Sequence, residues 1–360
     1  MSWFQEHITS FAFTMEQVYS ISGISRQGHS QSRLRAEVKF TRKTRVLNAV
    51  IQARLSHPRM GSRALHKMLH IEDMGVNQFE RLLSAEGLGI KRRRNQCKTT
   101  DGHTFKGKCN NKVNGKELDG VNQLWVSDIT YFLTGEKVFY IVMIMDVYSR
   151  KILGAEISSD MFAEHNLSVL KASLKQRGIS NYNGQLIHHS DKGSQYMSAA
   201  YKRMLMRHGI ELSVAENSLQ NAYAERINGI VKNDYLRFFH TDNLTQLRKH
   251  LTRSIWLYNH QRPHSSLNYM TPVAYEASLE KGKSEKMTLY DFNKVVVEFF
   301  SGMSNQNGCP LKEKQAPSKE PAIPVGQQYS LNGCSPAEPL SASRCQCKNN
   351  SNLNFNIKKL

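Results

Sequence analysis

Three acidic residues stand at positions from which carboxylates can converge. Asp128 interrupts the apolar run Leu124-Trp125-Val126-Ser127-Asp128-Ile129-Thr130-Tyr131-Phe132. Asp191 follows His188-His189-Ser190, and Glu225 lies in Asn221-Ala222-Tyr223-Ala224-Glu225-Arg226-Ile227-Asn228. A carboxylate inside an apolar strand has to be hydrogen-bonded, paired or bound to metal, because a lone buried charge is costly. Three of them in one crevice make a strongly negative pocket. Mg²⁺ suits such a pocket, since it is a hard ion that takes oxygen ligands and keeps several waters, leaving room for phosphate oxygens. Two such ions about 3.5–4 Å apart activate an attacking oxygen and stabilise a departing one. Zinc would call for Cys and His ligands, and none are suitably spaced. Cys97 and Cys109 are 12 apart, Cys345 and Cys347 leave one residue between them, and no zinc-finger Cys pair accompanies His66 and His70. The thiols are read as reduced. Each acid also has a structural reading. Asp128 can be satisfied by a neighbouring backbone group, Asp191 can be a turn or cap residue, and Glu225 can be an exposed helix charge.

The elements around these acids follow from pattern. Residues 124–132 read as a strand rich in aromatic and β-branched side chains. Val138 to Asp146 is almost continuously apolar and predicts a central strand, with Gly135-Glu136 in the turn between the two. A third strand is expected over Lys151–Ser158, a helix over Ala163–Gln176, and a fourth strand over Gln185–His189. A second helix is expected over Ser198–Arg207, a fifth strand over Ile210–Val214, and a last helix over Gln220–Phe238. Three successive strands followed by alternating helices and strands give an α/β domain with a mixed sheet. That order matches the ribonuclease H-like fold, and strand ends in an open sheet converge on one crevice.

The remaining chain divides by texture. Residues 1–35 form a lead-in with a short helix near Met15–Tyr19. Residues 40–95 predict a helix-turn-helix DNA-binding domain. Val46, Leu47, Val50, Ile51 and Leu55 make its first stripe, and His57-Pro58 ends that helix. Ser62 is the expected N-cap of the next helix, Asn77 with Glu80 a capping box for the third, and Gly87 and Gly89 its close. The run Lys91-Arg92-Arg93-Arg94 stands where it would grip phosphates. Residues 96–122 read as a linker, 123–285 as the catalytic core, and 286–360 as a mostly disordered tail with one apolar piece, Phe292–Phe300.

Charge agrees with a polyanionic partner. The formal net charge is +19, and residues 1–120 hold 21 Lys and Arg against 10 Asp and Glu. Counterion release from nucleic acid would reward that excess without regard to base sequence. The chain has no run of 18 apolar residues and no basic-then-apolar start, so no membrane association is expected and a cytoplasmic, nucleoid-associated location is.

Four phrases carry a resemblance spanning roughly residues 40–280. Trp125-Val126-Ser127-Asp128-Ile129-Thr130-Tyr131, His189-Ser190-Asp191-Lys192-Gly193-Ser194-Gln195-Tyr196 and Asn221-Ala222-Tyr223-Ala224-Glu225-Arg226-Ile227-Asn228-Gly229 come first. Tyr258-Asn259-His260-Gln261-Arg262-Pro263-His264-Ser265-Ser266-Leu267, followed by Thr271-Pro272, completes the set. Together they resemble insertion-sequence transposases of the retroviral-integrase superfamily, in particular the second-reading-frame product of elements with two overlapping frames. The resemblance implies that Asp128, Asp191 and Glu225 are the catalytic, metal-holding acids, with two Mg²⁺ ions that Mn²⁺ replaces. It implies DNA contacts from Lys192 and from Lys232, seven residues and about two turns beyond Glu225 on the same helix face. Asp146, in Asp146-Val147-Tyr148-Ser149-Arg150, is read as supporting and not as a ligand. The 33 residues between Asp191 and Glu225 are slightly fewer than the family usually shows, a difference a loop absorbs.

The implied activity is cleavage at element ends followed by strand transfer into target DNA, two phosphoryl transfers at one site. The implied partners are the element's terminal repeats, target DNA, further copies of the chain on DNA, and an upstream-frame product. This chain shows no heptad run long enough for a coiled coil of its own. Two alternatives remain open: a catalytically silent DNA-binding relic or repressor, and a ribonuclease H-like nuclease that cleaves without joining.

Overall fold

β-Branched, aromatic and methionine side chains crowd residues 124–158, and they build the middle of the molecule. The computed structural model describes His7, residues 14–90 and residues 111–289, apart from 181, 183, 216, 217, 240, 242, 281 and 283–285. All of these belong to one compact unit, Met1–Gln306; the second, Asn307–Leu360, lies outside the described residues, as does the expected apolar piece at 292–300.

The chain opens with α1 (Met15–Ser22) and a 31-residue helix, α2 (Arg26–Ser56). α2 runs without interruption through residues 35–40, where the sequence pattern suggests a change from lead-in to domain. Its first half buries nothing, leaving Leu34, Val38 and Phe40 exposed; only Val46 and Val50 are buried. Thr14 caps α1 with a reciprocal Gln17 bond, and Ser25 caps α2. His57 then leaves the helical region before Pro58, as expected.

Two short helices follow, α3 (Ser62–Met68) and α4 (Val76–Ala85). Their N-caps are Gly61 and Gly75, neither with a side-chain cap bond, so Ser62 and Asn77 already lie inside the helices they were expected to cap. Gly87, at φ 69°, ends α4 in the left-handed region that glycine tolerates best. Val46, Val50, Met60, Leu65, Met74, Phe79 and Leu83 close a small core around these helices. His66 is part of it, with Nε2 2.7 Å from the Met74 carbonyl oxygen and its ring edge-on to Phe79.

The larger body is a five-stranded mixed sheet in the order β4-β3-β2-β5-β6. β2 (Leu124–Thr134), β3 (Lys137–Asp146) and β4 (Ile152–Ser158) are antiparallel neighbours, while β5 (Ile187–Ser190) and β6 (Glu211–Val214) run parallel to β2. A separate two-stranded ladder joins β1 (Glu117–Leu118) to β7 (Met287–Thr288). Helices cover both faces, which explains why β3 reads as a nearly continuous apolar run. On one face Trp125, Val142, Ile144 and Leu153 pack against α5 (Ala163–Arg177), α6 (Ser194–Met197) and α7 (Ala199–Arg207). A Cβ at Gly154 would stand 2.8 Å from the Val169 carbonyl oxygen, so α5 lies flush on β4 only because this residue is glycine. On the other face Val126, Ile141, Met143 and Met145 pack against α8 (Ala222–Ile230) and α9 (Leu244–His260). The element order is the ribonuclease H-like one read from the sequence. The last expected helix, however, changes character: α8 gives way to a π-helical turn at Val231–Tyr235 and a 3₁₀ turn at Leu236–Phe238.

The helical front domain docks on the core through side chains. His57 Nδ1 lies 2.9 Å from the Tyr235 hydroxyl, and Nε2 lies 3.2 Å from Gln261 Oε1. Lys67 sits over the Tyr269 ring at 5.8 Å.

Candidate active site

Register decides where the acids fall. β2 pairs with β5 in parallel, with Val126 opposite His189. Asp191 is two residues beyond His189, immediately past the end of β5, as Asp128 is two residues beyond Val126. Asp128 shares the strand face of Val126, the face that α8 covers. Across the sheet it pairs with Met143.

α8 is keyed to this strand by side chains on one stripe. Asn221, just before the helix, donates to the Ser127 carbonyl oxygen at 3.0 Å. Asn228 donates to Asp128 Oδ2 at 2.9 Å. Lys232 donates to Thr130 Oγ1 at 2.8 Å and to the Tyr131 carbonyl oxygen at 3.2 Å. Glu225 falls between Asn221 and Asn228 at spacings of four and three, so it shares their side of the helix.

Asp191 is fixed by its own loop, where its Oδ1 accepts from the Gly193 N–H at 3.0 Å. A Cβ on residue 193 would stand 2.9 Å from that same oxygen, so a side chain there would push the Asp191 carboxylate aside. Behind the site, Ser127 Oγ and the Tyr196 hydroxyl are 2.8 Å apart, and Tyr201 bonds His188 Nε2 at 2.9 Å. Burial pushes His188 down to about 3 and His189 down to about 4, so both rings are neutral at neutral pH. His189 is occupied by Ser213 and the Gln220 carbonyl.

The acids feel one another. Asp128 is pushed up to about 7, chiefly by desolvation and then by the charge of Asp191; Glu225 adds to this, while the Asn228 hydrogen bond opposes it. Burial also raises Asp191 and Glu225. Asp128 and Asp191 are half-buried and Glu225 is exposed. Among the described residues, no three His, Cys, Asp or Glu side chains stand close enough to share an ion. The three carboxylates therefore act on one another without closing on a common point. Their chemistry fits a hard divalent cation. All donors are anionic oxygens, and a cation beside them would favour the ionised form of Asp128 against the desolvation that raises it.

Asp146 is a different kind of residue. Fully buried at the end of β3, it accepts from the Tyr148 and Ser149 N–H groups at 3.0 and 3.2 Å, from Asn122 N–H at 2.7 Å, and from Arg177 at 3.3 Å. Arg177 also reaches Glu276, itself paired with Lys151 at 2.6 Å. The carboxylate pins the β3–β4 turn and is spent there. Of the basic residues singled out in the sequence, Lys91, Arg92, Arg93 and Arg94 lie outside the described residues. Lys192 is half-buried beside Asp191 and makes no hydrogen bond or ion pair among the described residues. Lys232 is tied to β2. Asn221 and Asn228 were missed as site residues; their spacing of four and three from Glu225 was the available signal.

Comparison with known proteins bears on these residues. Residues 119–218 match the Integrase core domain model, and residues 208–272 match a second Integrase core domain model. Together the two matches cover residues 119–272. The matched stretch spans all three acids and the closing Arg262-Pro263-His264 phrase. The chain is 35% identical over 166 residues to the transposase for insertion sequence element IS629 of Shigella sonnei, across 44% of this chain and 54% of that protein. It is 32% identical over 158 residues to the transposase for insertion sequence element IS904 of Lactococcus lactis subsp. lactis (strain IL1403), across 43% of this chain and 61% of that protein. The match thus spans somewhat over half the length of these relatives. The HTLV-2 integrase catalytic core domain in complex with magnesium overlays with a TM-score of 0.35 at 18% identity, covering 43% of this chain and 95% of that one. No helix among the described residues is long and apolar enough to cross a membrane.

Proposed function

We propose that this chain is a DNA transposase whose integrase core cleaves element ends and joins them to target DNA. The observation that carries this reading is the approach of Asp128, Asp191 and Glu225 from β2, the end of β5 and α8, near enough that the charges of Asp191 and Glu225 add to the desolvation that pushes Asp128 up to about 7. In this reading the three carboxylates hold Mg²⁺, two ions in the full site, with Mn²⁺ as a substitute. Bound divalent ions supply Lewis acidity to the attacking and leaving oxygens of an in-line phosphoryl transfer.

The chain's own residues do the positioning. Asn228 aims the Asp128 carboxylate, the Gly193 N–H aims Asp191, and Asn221 locks α8, and with it Glu225, to the strand. Lys91, Arg92, Arg93, Arg94, Lys192 and Lys232 are proposed to contact DNA phosphates. The terminal repeats, target DNA and further copies of the chain are the proposed partners, with an upstream-frame product as a possible addition. Holding a DNA end and a target phosphodiester in line removes most of the entropic cost of the second step.

A strand-transfer assay with labelled element ends and Mg²⁺ tests the proposal. Joined product that requires the metal supports it. Cleavage without joining would leave a nuclease, and binding without either step would leave a silent DNA-binding protein.

A further inference from the structure

A second set of charged side chains, on the β3–β4 turn, α8 and the segment just past α9, is cationic. Arg150, in the β3–β4 turn, takes φ 61°, a left-handed conformation that a long side chain seldom adopts. Its guanidinium lies 4.4 Å from the centre of the Tyr223 ring on α8. One of its terminal nitrogens meets only the Met287 sulfur at 3.5 Å, and Nη1 is buried without a partner. Arg262, just past α9, pairs with Asp234 at 2.7 Å through Nη2, while its Nη1 is buried without a partner. His264 packs edge-on against Tyr258 at 4.7 Å, and its Nε2 is likewise buried and unpartnered. Arg226, one turn beyond Tyr223 on α8, is exposed. The charges of Arg262, Arg150 and Arg226 all act on His264, which burial and these neighbours push down to about 3.

Of the three arginines, only Arg262 has an acid partner among the described residues. Buried guanidinium N–H groups without acceptors cost free energy, and native proteins rarely leave them so. Two guanidinium groups with buried unpartnered N–H groups, an exposed third and a neutral imidazole with a buried unpartnered nitrogen make a polar set without a partner for its buried atoms. The planar guanidinium fork matches the oxygens of phosphate. The exposed member, Arg226, adjoins Glu225 in sequence, which places the open side of the cluster on the helix that carries an acid of the crevice.

We propose that Arg150, Arg226, Arg262 and His264 form an oxyanion site that takes a phosphate group, supplied either by a DNA phosphodiester flanking the acid crevice or by a free phosphate ion. The DNA source rests on the proposed function; the site itself does not. Thermal unfolding of the full chain in EDTA, with inorganic phosphate against chloride at matched ionic strength, reads the site without any activity. Phosphate should raise the melting temperature of the wild type, and Arg226→Gln and Arg150→Asn should each lose at least half of that rise. Arg226 is exposed, so Arg226→Gln keeps the test sound should Arg150→Asn disturb the turn.

The same variants are then titrated with duplex DNA at several salt concentrations. A fall of about 0.9 in the slope of log affinity against log salt assigns the site to a DNA phosphate. An unchanged slope, with the phosphate response still lost, assigns it to a free ion. A chain that binds no DNA but shows the variant-sensitive phosphate response keeps the site and sinks the transposase reading. No phosphate response in the wild type, or one equally large in both variants, overturns the proposal.

Discussion

Replacing Asp128 with Asn should make the metal-free protein more stable at alkaline pH and less responsive to Mg²⁺. In the folded protein the Asp128 carboxyl is raised from its ordinary 3.8 to about 7, so folding favours its protonated form. Between those two values the unfolded chain has already released a proton that the native state keeps. Stability of the metal-free protein therefore falls as pH rises from about 4 to about 7, then levels. Full conversion of that difference would be about 4 kcal/mol. Solvent reaches this half-buried side chain, so roughly 1–2 kcal/mol is the expected size of the effect. Asn keeps the shape and can still accept the hydrogen bond from Asn228. Denaturant melts in EDTA at about pH 5 and about pH 8 measure the difference. The variant's gain on the wild type should be larger at the higher pH than at the lower. Added Mg²⁺ should reverse the order, because an ion bound only by the native wild type stabilises it. An Asp128→Asn protein that is less stable than wild type at the higher pH in EDTA, or equally shifted at both, would refute the argument.

Other expectations follow from single contacts. Asn228→Ala removes a bond that holds Asp128 down, so the acid limb of the pH–rate profile of strand transfer should move to higher pH. Gly193→Ala forces a Cβ to within 2.9 Å of Asp191 Oδ1; strand transfer should fall by ~10²-fold or more while the melting temperature barely changes. Lys232→Gln should weaken DNA binding and lower its salt slope by about 0.9 if the amine leaves Thr130 for a phosphate; an unchanged slope would confine Lys232 to holding α8 against β2. Phe79→Ala empties the centre of the small helical core and should cost ~3–5 kcal/mol, read as early melting of the front domain by hydrogen exchange.

The sheet was legible because its strands are buried on both faces and so carry unbroken apolar runs, as Val138 to Asp146 does. α2 was not, because its first half buries nothing and hydrophobic periodicity is silent for a helix without an apolar stripe. The caps at Gly61 and Gly75 were missed for a related reason: a glycine N-cap makes no side-chain bond, and nearby Ser62 and Asn77 offer a stronger pattern. The π-helical turn at Val231–Tyr235 left no local sign, since Tyr235 is drawn in by His57, a partner 178 residues away. At the site, the positions of Asp128, Asp191 and Glu225 were readable from strand ends and phrases. Asp146 was set apart from them as supporting, but the reason was not readable, because its acceptor role depends on N–H groups of the β3–β4 turn and on Arg177 from a distant helix.

The central claim is that Asp128, Asp191 and Glu225 act together in phosphoryl transfer. Strand transfer by Asp128→Asn, Asp191→Asn and Glu225→Gln, each measured beside its own affinity for element-end DNA, tests it most directly. Every single replacement should lower both cleavage and joining by ~10²-fold or more while DNA affinity stays near wild type. One variant of the three that joins DNA at the wild-type rate would contradict it.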